Sequence, residues 1–133
     1  MQSISREELK HALDRHQVAL LDARSPEEFL KSHLPGAMNV PAGRASELAP
    51  QLLPDKNALI VTYCVNFTWK LSEQLARELV ALGYNNVCNY QEGRQDWMKA
   101  GLPLEGTAPY EAINGFHPSE SEAEAQDQLR RAV

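Results

Sequence analysis

Ala58-Leu-Ile-Val-Thr-Tyr-Cys64 decides how this chain is read: a continuous apolar run ends in a cysteine, and a strongly helical stretch begins a few residues later. A short unbroken apolar run suits a strand covered on both faces, which is the habit of parallel sheets. Parallel strands need crossover connections, and the sheet edge at their carboxyl ends faces a crevice. Cys64 therefore stands where strand hands over to helix. The free amides and positive dipole end of a helix starting there stabilise an anion, and the reactive form of cysteine is the thiolate anion.

Downstream, Leu71, Leu75, Leu79 and Leu82 follow helical spacing from Lys70, with Glu73, Gln74, Arg77 and Glu78 on the other face and Gly83 as the stop. Asn86-Val-Cys-Asn-Tyr90 reads as a short strand, and Gly93 to Ala100 as a helix that carries Trp97 inward. Upstream, Val18-Ala-Leu-Leu21 is a second buried strand ending in Asp22. Ser25-Pro-Glu-Glu28 starts a helix that runs to about Ser32, with Ser as cap and Pro at the first helical position. Ser5-Arg-Glu-Glu8 is a capping box with Ile4 and Leu9 spaced as a staple, opening a helix to about His16. Pro35-Gly36 marks a turn, and Ala37-Met-Asn-Val40 an extended segment. Leu48, Leu52 and Leu53 suggest a helical piece whose length Pro50 limits, or whose start it marks. At least three strands alternate with helices, which implies a parallel sheet with helices on both faces.

A chain of 133 residues fits one domain, burying roughly 65–70% of its unfolded surface without help from disulfides. Two cysteines, a polar start at Met1-Gln-Ser-Ile-Ser-Arg and no long apolar segment point away from secretion and from the membrane, toward a reducing, cytoplasmic setting. A net charge of −5 argues against a broad nucleic-acid surface, which needs clustered Lys and Arg. His11, His16 and His117 lack ligand spacing with each other or with Cys64 and Cys88, so no metal is expected. No Gly-rich phosphate loop or paired-carboxylate motif is present, and no cofactor is expected. Past Thr107 the composition shifts, and 119–133 has an acidic start and a basic end. Residues 1–106 are expected to form the domain and 107–133 a C-terminal extension, partly helical, where a homodimer contact would lie.

The order of motifs resembles the rhodanese-like superfamily. The carrying stretches are Leu20-Leu-Asp-Ala-Arg-Ser-Pro-Glu-Glu-Phe29, His33-Leu-Pro-Gly-Ala-Met-Asn-Val-Pro41, Val61-Thr-Tyr-Cys64, Leu82-Gly-Tyr84 through Glu92-Gly93 and Trp97, and Ala100-Gly-Leu-Pro103. The resemblance implies a three-layer α/β/α fold with a mainly parallel sheet of about five strands. It also implies a single-cysteine sulfurtransferase: Cys64 takes a sulfane sulfur from thiosulfate, a polysulfide or a persulfide, holds it as a persulfide, and passes it to a protein thiol or other nucleophilic acceptor. Amides of the loop Val65, Asn66, Phe67, Thr68, Trp69 and Lys70 would cradle the anion. Asp22 and Arg24 match the family Asp-X-Arg and would support the site as a scaffold pair. His33 would be structural, its imidazole bonding backbone, and Cys88 would pack in the core.

The loop departs from the family pattern. Val-Asn-Phe-Thr-Trp-Lys70 holds neither the usual Gly nor Arg, and Gly83 lies 19 residues after Cys64, farther than the compact family loop leaves. Lys70 occupies the place of the Arg in the phosphatase branch. It reads either as a cation acting on Cys64 or as a solvated first-turn lysine, but it cannot grip a phosphoryl group bidentately. Phe67 and Trp69 read either as an apolar wall or as packing for the loop. Besides sulfur transfer, two alternatives stand: a binding or regulatory module without turnover, and phosphatase or arsenate reductase-type chemistry on Cys64.

Overall fold

The start signals in the sequence form as written. Ser5 Oγ accepts from the Glu8 amide at 3.1 Å while Glu8 Oε1 accepts from the Ser5 amide at 3.2 Å, closing the capping box of the first helix. In this computed structural model, which describes residues 2–66 and 68–110, the elements in chain order are β1 (Gln2–Ser3), α1 (Arg6–Asp14), β2 (Ala19–Asp22), α2 (Pro26–Lys31), β3 (Met38–Asn39), α3 (Ala45–Leu52), β4 (Ile60–Tyr63), α4 (Leu71–Ala81), β5 (Val87–Tyr90) and α5 (Gly93–Lys99). Of the expected C-terminal extension, 107–133, only 107–110 are described; its expected helix lies outside the described residues, as does the rest of the segment expected to carry a dimer contact.

All five strands are parallel, in the order β1-β5-β4-β2-β3. β4 is central, with all four residues buried, as its unbroken apolar run requires. Its alternation divides the core. Leu21, Ile60 and Val87 pack with Ala45 and Ala49 of α3 and Leu75, Ala76 and Leu79 of α4. On the opposite face Leu20, Val61, Tyr63 and Tyr90 pack with Leu9 of α1 and Trp97 of α5. The result is the three-layer α/β/α arrangement expected. Among the described residues no helix is long and apolar enough to cross a membrane.

Three details differ from the sequence reading. β1 has no sequence signal, because it is two exposed residues on the sheet edge, paired with Cys88 and Asn89. α1 ends at Asp14 rather than His16, since His16 adopts φ 53 and turns the chain away. Pro50 lies inside α3, two residues before its end. It therefore limits the helix and does not start it, because by then only the last turn must forgo one amide. α4 ends as Gly83 predicts: Gly83 at φ 98 lets Tyr84 N donate to Leu79 O and its own amide to Val80 O, a Schellman closure. The Tyr84 hydroxyl then donates to the carbonyl ends of α3, 3.1 Å from Ala49 O and 2.6 Å from Leu53 O.

Candidate functional site

Cys64 is the first residue after β4, and the strand's alternation turns its side chain toward α4. The residue is 1% exposed. Its Sγ lies 3.3 Å from Ser72 Oγ, 3.4 Å from Trp69 O and 3.9 Å from Asn66 O. Ser72 belongs to the first turn of α4 and is held there by Thr62, whose Oγ1 donates to Ser72 O at 2.9 Å. Among the described residues the loop presents two carbonyl oxygens to the sulfur. Carbonyl oxygens accept from a thiol; they do not stabilise a thiolate.

Asn66 organises the loop. Its carbonyl accepts from Trp69 N at 3.2 Å, its Oδ1 accepts from Thr68 N at 3.0 Å, and its Nδ2 donates to Gln95 Oε1 at 2.8 Å. The opening of α5 grips the same segment from the other side: Arg94 N donates to Cys64 O and Gln95 N to Val65 O, both at 2.9 Å. Only glycine allows that approach at position 93. Its φ is 69, and a Cβ there would meet Cys64 O at 2.6 Å and Val65 O at 2.7 Å.

The remaining loop residues divide. Val65 is buried, whereas Trp69 is 46% exposed. Lys70 is the N-cap of α4, with a side chain 75% exposed and Nζ 3.8 Å from Glu73 Oε2. That is the solvated first-turn lysine of the two readings. Phe67 lies outside the described residues.

Asp22 and Arg24 sit at the same carboxyl edge but on the other face of the sheet. Arg24 Nε donates to Asp22 Oδ1 at 3.0 Å and Nη2 to Asp22 Oδ2 at 2.7 Å, with the Arg24 amide adding a bond to Oδ1 at 2.9 Å. Nη2 also donates to Ser32 O, and Nη1 faces Glu28 Oε2 at 3.8 Å. Burial by itself would lower the Arg24 pKa; the Asp22 bonds and charge outweigh it, and the net direction is upward. Among the described residues the pair's side chains bond one another and Ser32, and none of these bonds reaches the loop. Tyr63 shares the cluster, its hydroxyl accepting from Leu34 N at 3.0 Å. Burial first, and the Asp22 charge next, push its phenol well above the usual value.

A second buried arginine joins them. Arg94 is 4% exposed, donates from Nε to Ser32 Oγ at 2.9 Å and from Nη2 to Pro109 O at 3.1 Å. Burial and then the neighbouring Arg24 charge bring its pKa down to about 10. Ser32 Oγ in turn donates to Pro109 O at 2.7 Å, so the cluster also clasps the chain as it leaves the domain. His33 bonds backbone as read, Nδ1 to Phe29 O at 2.6 Å, with its ring stacked on Phe29 at 4.0 Å.

Cys88 is half-buried against the α1/α5 layer, and burial raises its thiol pKa. It projects from the face opposite to Cys64, which separates the two sulfurs by the sheet. Among the described residues no cluster of His, Cys, Asp or Glu could hold a metal ion.

Sequence reading singled out Cys64, its loop and the Asp22/Arg24 pair, but it missed four contributors. Ser72, Gln95, Gly93 and Arg94 reach the site or its frame through tertiary contacts spanning 8 to 62 residues of chain. Two had weak local signals: Ser72 falls in the first turn after the loop, and Gly93 belongs to the Glu92-Gly93 motif.

Comparison with known proteins places this geometry. The rhodanese-like domain family model matches residues 5–100. The HTH-type transcriptional regulator Rv0324 of Mycobacterium tuberculosis is 31% identical over 107 residues, 80% of this chain and 46% of that protein. The thiosulfate sulfurtransferase PspE of Escherichia coli is 33% identical over 69 residues, 52% of this chain and 64% of that protein. The chain thus spans between about half and two thirds of these relatives. The crystal structure of the BH2092 protein from Bacillus halodurans superposes with a TM-score of 0.76 at 21% identity, covering 92% of this chain and 89% of that one.

Proposed function

The chain belongs to the rhodanese-like domain family, and from that premise we propose that it is a sulfurtransferase which carries sulfane sulfur as a persulfide on Cys64. The observation that carries this reading is the placement of Cys64: a free thiol at the end of the central strand, 3.3 Å from a buried hydroxyl. The relative named thiosulfate sulfurtransferase supports sulfur transfer as the reaction class.

In the forward step the Cys64 thiolate attacks the outer sulfur of a donor. With thiosulfate, the new bond is Sγ–S, the S–S bond of the donor breaks, and sulfite leaves with the electron pair. In the second step an acceptor thiolate attacks the outer sulfur of the persulfide. The Sγ–S bond breaks, the acceptor becomes the persulfide, and Cys64 returns as thiolate. No net oxidant is required.

Because Cys64 is buried, a donor reaches Sγ only when the groups that contact the sulfur, among them Asn66 and Trp69, give way. Among the described residues the contacts given up are one amide–amide side-chain bond, Asn66 to Gln95, and the weak thiol contacts to Trp69 O and Asn66 O. Exposed Trp69 and Lys70 flank that opening. A reducing, cytoplasmic setting would keep Cys64 and Cys88 as free thiols.

The burial of Cys64 favours a second reading, a binding or regulatory module without turnover, and the relative named as a transcriptional regulator points the same way. Phosphatase or arsenate-type chemistry draws no support from Lys70, which pairs with Glu73 at the surface. Incubation with thiosulfate or a polysulfide, followed by intact mass measurement, separates these. Sulfur transfer predicts a gain of one sulfur that Cys64→Ser abolishes and that glutathione removes. Absence of an adduct with either donor sinks it in favour of the binding module.

A further inference from the structure

The neighbours of the Cys64 sulfur pose a chemical problem. Among the described residues two of its three hydrogen-bond partners are carbonyl oxygens, Trp69 O and Asn66 O, which hold a thiol and repel a thiolate. The third is the hydroxyl of Ser72 at 3.3 Å. Ser72 is 2% exposed, so water does not compete for that hydroxyl, and among the described residues its one hydrogen-bond partner is Sγ. A buried hydroxyl without a partner costs free energy, and here the sulfur is the partner at hand.

Charged groups on the surrounding elements are committed elsewhere. Lys70 at the head of α4 faces Glu73. The Arg94 guanidinium of α5 donates to Ser32 Oγ and Pro109 O, and Asp96 of α5 accepts from Arg6 and Tyr90. On β2, Asp22 is paired with Arg24. On β4, the Tyr63 hydroxyl turns to Leu34 N, and Cys88 of β5 lies on the far face. No charged side chain among the described residues bonds the sulfur.

We infer that Ser72 is a catalytic residue of this site, donating its hydroxyl proton in a hydrogen bond to the Cys64 thiolate and so setting how readily that thiol ionises. The inference rests on Cys64 being the reacting thiol of the proposed function. Ser72 is suited to the task because it is fixed independently of the loop: it lies on α4, and Thr62 Oγ1 pins its carbonyl at 2.9 Å. In the thiol state Sγ–H donates to Ser72 Oγ or to Trp69 O; once the proton has left, the Ser72 hydroxyl rotates and is the group that donates to Sγ. Loss of the proton turns the Trp69 carbonyl from an acceptor into a repelling dipole and leaves the Ser72 bond strengthened by charge. Ionisation therefore creates the nucleophile and weakens its contacts with the Trp69 and Asn66 carbonyls in one event, with Ser72 keeping the sulfur in place.

Thiolate absorbance near 240 nm, titrated against pH and corrected with Cys64→Ser, reads this directly without requiring access to the sulfur. In Ser72→Ala and Ser72→Gly the midpoint should rise by about one pH unit, a roughly tenfold loss of thiolate below it, as expected for losing a hydrogen bond to a charged group. Ser72→Thr should restore the midpoint. A midpoint unmoved in whichever of the two deletions folds overturns the inference. The sulfur-adduct measurement on the unsubstituted protein is separate: a Ser72-dependent midpoint with no adduct would leave Ser72 standing and remove sulfur transfer, whereas an adduct with an unmoved midpoint would do the reverse.

Discussion

Two clusters share the carboxyl edge of the sheet, one on each face, and they are built on opposite physical terms. On the α1/α5 side, Asp22, Arg24, Ser32 and Arg94 form a buried ionic frame in which the Asp22 carboxylate takes four hydrogen bonds. On the α4 side, Cys64 is held by one hydroxyl and two backbone carbonyls at 3.3–3.9 Å. The frame is rigid because every defect in it strands a charge in low dielectric. The thiol side is soft because sulfur hydrogen bonds are weak and each can be lost singly. The proposed sulfur transfer would use such a division, with the strand ends held fixed and the sulfur held only by contacts that are easily given up.

The largest expected effect lies on the soft side and is chemical. Cys64→Ser should remove the sulfur adduct completely, while Cys88→Ser, on the far face, should keep it; loss in both variants would erase the distinction between the faces. On the rigid side the largest effect is thermodynamic. Arg24→Met leaves Asp22 buried without its counter-charge and should cost about 3–5 kcal/mol in urea unfolding. If the cost proved to be below about 1 kcal/mol, the frame would be no stiffer than a surface ion pair.

Gly93 joins the two regions, so its replacement should disturb both. Gly93→Ala forces a Cβ against Cys64 O and Val65 O in a left-handed backbone, and should cost about 3 kcal/mol from overpacking together with the left-handed penalty. It should also slow sulfur uptake, because the carbonyl it displaces is that of Cys64. Normal uptake in a folded Gly93→Ala protein would show that the α5 grip does not position the sulfur. The smallest effect is expected at Gln95. Gln95→Ala frees Asn66 Nδ2 at a cost of about 1 kcal/mol, with iodoacetamide modification of the Cys64 peptide becoming faster as the loop opens more often. An unchanged rate would mean that Asn66 and Gln95 do not hold the cover.

Much of this was legible along the chain. Ser5 and Ser25 announce their helices, Gly83 ends α4, and the run before Cys64 reads as the central strand, because capping and apolar runs are local interactions between residues a few positions apart. The same locality explains why Asp22 and Arg24 could be placed together: they are two residues apart at one strand end. Arg94 gave no warning. Its burial depends on Ser32 and Pro109, which sequence spacing cannot bring together. The loop's departure from the family pattern is legible in its sequence, but which peptide groups turn toward the sulfur is not, since that follows from how Asn66 folds onto Gln95.

The sequence by itself determined the α/β alternation, the family and the station of Cys64 at a strand end, for these rest on periodicity, caps and motif order. Tertiary structure alone decided what surrounds the sulfur. Parallel pairing and the crossover helices bring Ser72 beneath Cys64, put Cys88 on the opposite face and set α5 amides on the loop carbonyls. The physical reason is that a hydrogen bond acts over about 3 Å, and only the packed fold brings residues distant in sequence to within that reach.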